Sequence, residues 1–72
     1  MKFKERTGIL TDRELKIIEL IAGGFKDKEI SEQLGITTQY IRSNLVNGIL
    51  KKTGTNNRPQ LITWAFKEGL LS

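Results

Sequence analysis

Apolar residues recur at Leu15, Ile18, Ile21 and Ala22, the i, i+3 and i+4 spacing of one helix face, and Ile17 and Leu20 widen the stripe. So broad a stripe predicts a helix packed on two sides. Thr11-Asp12-Arg13-Glu14 has the spacing of a capping box, so this helix starts at Asp12 and stops at Gly23-Gly24. A shorter segment, from Asp27 to Leu34, places Ile30 and Leu34 inward and ends at Gly35, with Phe25 expected to pack beneath it. Thr37 then caps a third helix from Thr38 to about Thr53. Two helices joined by a short glycine-containing turn form the helix-turn-helix layout. Asn57 followed by Arg58-Pro59 opens a fourth helix running to Glu68, after which Gly69 turns the chain and Leu70-Leu71 fold back on the core. Leu61, Ile62 and Ala65 are its core-facing residues. No strand-like alternation, internal repeat or low-complexity tract occurs, so the expected fold class is all-α with four helices.

The third helix has two unlike faces. Counting about 100° per residue from Ile41, residues Leu45, Gly48 and Ile49 cluster on the buried side. The opposite side carries Gln39, Ser43, Val46, Asn47 and Leu50, with Arg42 and Lys51 at its margins and no acidic residue anywhere in the helix. Such a face is either plain solvated surface or one suited to a major groove. There, Gln and Asn pair with adenine, Arg with guanine, and aliphatic groups touch thymine methyls, while marginal lysines such as Lys51 and Lys52 meet phosphates.

Composition narrows the choice. With 72 residues there is room for one modest core, and an absence of Cys and His removes disulfides, thiol nucleophiles, the histidine base and the common zinc sites. No metal, cofactor or catalytic constellation is expected, and the chain is read as a non-enzyme. The acids are scattered over solvated helix faces. No apolar run approaches the ~20 residues that span a bilayer, and the basic start Met1-Lys2-Phe3-Lys4-Glu5-Arg6 is not followed by a signal-peptide core, so a cytoplasmic location is the default. The net charge of +4 is unevenly placed: residues 1–35 hold seven bases and seven acids, residues 36–72 five bases and one acid. That asymmetry points to a polyanion, either nucleic acid or an anionic membrane surface.

From Leu10 to Leu71 the chain resembles the LuxR/GerE-type helix-turn-helix domain. The resemblance is carried by Leu10-Thr11-x-Arg13-Glu14, Ala22-x-Gly24, Lys28-Glu29-Ile30-x-x-x-Leu34-x-Ile36-Thr37, Ile41-Arg42, Lys52-x-Gly54, Arg58, Ala65 and Gly69-Leu70-Leu71. It implies a DNA-binding domain of bacterial transcription regulators, residues 10–72, preceded by a flexible arm at 1–9. The third helix would enter the major groove and the fourth would form a two-fold dimer. It places base contacts on Arg42, Ser43 and Val46, to which the helix geometry adds Gln39 and Asn47. Phosphate contacts fall on Lys28, Thr37, Thr38, Lys51 and Lys52. Trp64 takes a position the family leaves outward, with Gln60, Thr63 and Lys67 beside it as the expected dimer seam; the same tryptophan also suits a role covering a small core. Partners implied are double-stranded DNA, a second copy, and RNA polymerase or another regulator, with no membrane. Glu14 is expected to pair with Arg13 or Arg58 and fix the first helix against the fourth.

Several positions depart from the family pattern. Lys26 stands at a usual Ser or Thr cap, so Asp27 is expected to cap the second helix, and Tyr40, Asn44 and Thr53 replace usual Thr, His and Leu. One extra residue lies between Arg42 and Gly54, which either lengthens the third helix or forces a bulge. Gly48, costing about 0.5–1 kcal/mol relative to alanine inside a helix, signals close backbone packing there. The unusual spacing also sustains an alternative, a helix-turn-helix-like module that binds and blocks another transcription regulator through Trp64, Val46 and Leu50.

Overall fold

The computed structural model describes residues 10–71, so the expected arm at 1–9 lies outside the described residues. Helix α1 spans Asp12–Ala22. The Thr11 hydroxyl accepts the Glu14 N–H at 3.1 Å, and the Glu14 carboxylate accepts the Thr11 N–H at 2.9 Å, closing the expected capping box. Helix α2 spans Asp27–Leu34 as expected, but Lys26 and not Asp27 is its N-cap, with the Lys26 N–H donating to the Glu29 side chain at 2.8 Å. A lysine side chain has no acceptor to offer, so Glu29 supplies the side-chain half of this cap. Asp27, already inside the first turn, has its carboxylate free for tertiary partners.

Gly35 sits at φ 68°, the left-handed conformation that side chains disfavour, and this lets the chain reverse from α2 into α3 across three residues. Helix α3 has three parts: α-helix at Thr38–Asn44, a π-helical turn at Leu45–Ile49, and α-helix at Leu50–Thr53. The Thr37 hydroxyl caps its start by accepting the Tyr40 N–H at 3.0 Å. The extra residue therefore makes a bulge, marked by the Leu50 N–H donating five residues back to the Leu45 carbonyl. Helix α4 spans Arg58–Lys67, with Asn57 capping through its side chain and Pro59 in the first turn, where a missing N–H costs nothing.

All four helices of the described residues contribute to one core of Leu10, Ile17, Ile18, Leu20, Ile30, Ile41, Leu45, Ile49, Leu61 and Ala65. Its rim includes Leu15, Leu34, Ile36, Ile62, Trp64, Leu70 and Leu71. Each fully buried isoleucine or leucine contributes about 1.5–3 kcal/mol relative to exposure, which holds α3 rigidly against α1 and α2. The tail returns over α1 as expected, and Leu70 and Leu71 line a groove with Leu15 and Ile18.

Three side chains differ from expectation. Phe25 is 40% exposed, because its ring lies across Gly23, 3.3 Å from where a Cβ there would stand, and does not tuck under α2. Ala22 is exposed in the last turn of α1, where the chain turns away at Gly23. Leu50, expected outside, is half-buried against the core because the π turn rotates everything after it.

Candidate nucleic-acid interface

The first turns of α3 fix the candidate surface. Ile41, Leu45 and Ile49 are buried, and their packing turns Gln39, Arg42, Ser43, Val46 and Asn47 outward, all of them exposed. Ser43 and Asn47 lie one turn apart on this face, the Asn47 amide donating to the Ser43 hydroxyl at 3.4 Å. Val46 is 57% exposed, an aliphatic group presented among polar ones. Of the expected phosphate contacts, Lys28 at the start of α2 and Thr37, Lys51 and Lys52 on α3 are exposed, and Thr38 is half-buried. The π turn lies inside the face, so Val46 and Asn47 are spread over a wider turn than an α-helix would give.

Two ion-pair centres join the helices around this face: one has partners other than those expected for it, and the other has no counterpart among the expected pairs. Glu14 is buried and pairs with Lys52 at 2.8 Å, not with Arg13 or Arg58, tying α1 to the far end of α3. Arg58 is occupied elsewhere, and Arg13 lies 5.9 Å from the centre of the Tyr40 ring in a cation–π contact between α1 and α3. Burial pushes the Glu14 carboxyl pKa up, but hydrogen bonds from Lys52 and the Thr11 N–H, with the Lys52 charge and Asn44, outweigh it and hold the pKa below the ordinary 4.5. Gly48 packs against this carboxylate: a Cβ there would stand 3.2 Å from Glu14 Oε2. The backbone packing expected at Gly48 is not what the structure has: the close neighbours are the side chains of Glu14 and Asn44.

The second centre is Asp27, which the sequence offered only as a cap. Its Oδ1 lies 2.8 Å from Arg58 Nη1, and its Oδ2 accepts from Arg58 Nη2 and Arg42 Nε, both at 3.0 Å. One carboxylate at the head of α2 therefore links α3 and α4. The Arg58 hydrogen bond is the main cause that holds the Asp27 pKa below 3.8, against the opposing effect of burial and with further help from Arg42. Asp27 lies 15 residues before Arg42 and 31 before Arg58. A scarcity of acids after residue 35 is the sequence signal that such arginines draw partners from the first half, but it does not say which.

On α4, Gln60, Thr63, Trp64 and Lys67 come together with Pro59 around one shallow groove. Trp64 is half-buried, so the residue both covers the core and faces this groove. Among the described residues no His, Cys, Asp and Glu cluster suits a metal ion, and no helix is long and apolar enough to cross a membrane.

The four helices of the described residues, with a capped helix-turn-helix whose second member shows an acid-free polar face, define a helix-turn-helix domain of the kind found in DNA-binding transcription regulators. The chain belongs to the luxR family of bacterial regulatory proteins, whose model matches residues 8–65. It is also similar to the oxygen regulatory protein NreC of Staphylococcus aureus. In strains JH9, JH1 and USA300 the identity is 38% over 63 residues, covering 88% of this chain and 29% of the relative. The chain thus spans less than a third of the length of these curated relatives.

Proposed function

We propose that this domain binds double-stranded DNA sequence-specifically, with α3 in the major groove and two copies paired through α4. The observation that carries the reading is the outward face of α3. It presents Gln39, Arg42, Ser43, Val46 and Asn47 with no carboxylate in the helix, while Asp27 and Glu14, the acids that pair with side chains of α3, each meet a base there. A carboxylate left unpaired on such a face would repel phosphate; its absence is what a polyanion requires. Gln39, Arg42, Ser43, Val46 and Asn47 are the base-reading set, and Lys28, Thr37, Thr38, Lys51 and Lys52 the backbone set. Lys52 contributes charge while anchored to Glu14. The groove of Gln60, Thr63, Trp64 and Lys67 is the dimer seam, and a second copy there would place two α3 helices on an inverted repeat.

The experiment is selection from a randomised duplex pool, followed by fluorescence anisotropy on the enriched sequence at two salt concentrations. Enrichment of an inverted repeat, with affinity falling steeply as salt rises, is expected. Arg42→Ala should abolish the preference while the helical circular dichroism stays intact. Absence of enrichment, with negligible binding at physiological salt, would overturn the reading in favour of a module that captures another regulator.

A further inference from the structure

Arg42 is the most exposed member of its ion-pair group, with 68% of its side chain accessible, whereas Asp27 is only 13% accessible and is pinned by two contacts from Arg58. The Asp27–Arg42 contact uses Nε, the inner nitrogen of the guanidinium. A guanidinium is a rigid plane, so a hydrogen bond at Nε restricts the direction of that plane while leaving both Nη groups unused by Asp27 and able to meet another acceptor. The pair of Nη donors is the fork that matches the O6 and N7 acceptors of guanine. A long arginine side chain at such exposure is otherwise free to sample many rotamers, and ordering it before contact lowers the entropic cost of binding.

We infer that Asp27 is a specificity-determining residue: held by Arg58, it orients Arg42 through Nε so that the Arg42 fork reads a guanine in the major groove. The inference rests on the DNA-binding reading above and adds to it a residue on a different helix that need not touch DNA. Removing Asp27 has an unusual sign. It takes a negative charge away from beside the DNA face, so affinity for any duplex holds or rises, while discrimination falls because Arg42 is no longer aimed. A purely structural role would instead weaken all binding together with stability.

The test compares the chain with Asp27→Asn, Arg42→Ala and Arg42→Lys, selecting each from the same randomised duplex pool and measuring affinity for an unselected random duplex. The wild-type chain should show a preference for one G·C pair per half-site of about tenfold or more. Asp27→Asn should lose most of that preference with random-duplex affinity equal or higher. Arg42→Ala and Arg42→Lys should lose it too, the lysine because a single ammonium has no fork. Adding Asp27→Asn to Arg42→Ala should cause no further loss of preference. In the free wild-type protein, the Arg42 Nε–H should give a slowly exchanging NMR signal that moves on acidification as Asp27 protonates; this needs no folded Asp27 variant.

Retention of the G·C preference by Asp27→Asn, or a fast-exchanging Nε–H signal in the wild type, overturns the inference while leaving DNA binding intact. Should Asp27→Asn fail to fold, retention of the preference by Arg42→Lys overturns it. No enrichment by the wild-type chain overturns the DNA-binding reading itself, and this inference with it.

Discussion

Deleting Gly48 should leave this domain as stable as before or more stable, although deleting a residue from the middle of a core helix is ordinarily ruinous. On an uninterrupted α-helix counted from Ile41, Lys52 falls about 20° from Ile41, inside the buried face, and Leu50 about 180° away, in solvent. The structure has the reverse: Leu50 is half-buried and Lys52 exposed. Taking one residue out of the count between Leu45 and Leu50 moves Leu50 and Lys52 to about 80° on either side of Ile41 and brings Thr53 to about 20°. This is where the π turn already holds them, with Thr53 half-buried and Lys52 reaching Glu14 at 2.8 Å. Deletion therefore replaces the bulge by a plain turn and leaves the orientation of Ile49 to Thr53 unchanged. Losing a helical glycine is worth about 0.5–1 kcal/mol. Against that, Asn47 must move in beside Glu14, where even a Cβ comes to 3.2 Å. The net expectation lies between no change and about 1 kcal/mol of stabilisation, the latter a rise in Tm of about 4–8 °C for a domain this small. Urea unfolding followed by circular dichroism measures it. A loss of more than about 2 kcal/mol would refute the account, because it would mean that Ile49, Thr53 and Lys52 had turned out of place.

The caps and the ion pairs carry further expectations. Thr11→Ala removes the hydroxyl half of the α1 capping box and should cost about 1 kcal/mol in urea unfolding; no change would mean that Glu14 alone holds the cap. The folded pKa of Glu14 lies below 4.5 and that of Asp27 below 3.8, so each carboxylate stabilises the fold above its ordinary value, and that contribution is lost as pH falls through the folded pKa. The urea midpoint should therefore drop on acidification from about pH 5 to about pH 3, and Glu14→Gln should show a shallower drop from a lower starting stability; parallel curves would remove Glu14 from the account. Trp64→Ala should convert a dimer to a monomer in sedimentation equilibrium, together with a stability loss from the uncovered core. Lys67→Glu, on the same groove but exposed, should weaken association with little effect on stability, and unchanged association in both would reject α4 as the seam.

The features legible in the sequence were those written within a few residues of one another. Thr11 and Glu14, Thr37, Gly35, and Asn57 with Pro59 each set a helix end through contacts no more than four residues long, and each stands where the pattern placed it. The outward residues of α3 as far as Asn47 were legible for the same reason, since they precede the π turn or lie early in it, before the helical count has slipped by a full residue. Beyond it the count slipped by one residue, which is why Leu50 looked like surface. The partners of Glu14 and Asp27 were illegible because they are chosen by helices meeting in space: Lys52 is 38 residues from Glu14. Those pairings also revise what the charge asymmetry means. Of the five bases after residue 35, Arg42, Lys52 and Arg58 are held by acids of the first half. Part of the basic excess is thus internal adhesive between the two halves of the chain. A salt titration of DNA binding should accordingly show a slope smaller than the full cation inventory suggests, set mainly by Lys28 and Lys51 in each copy, with a reduced share from Lys52 because Glu14 already pairs with it.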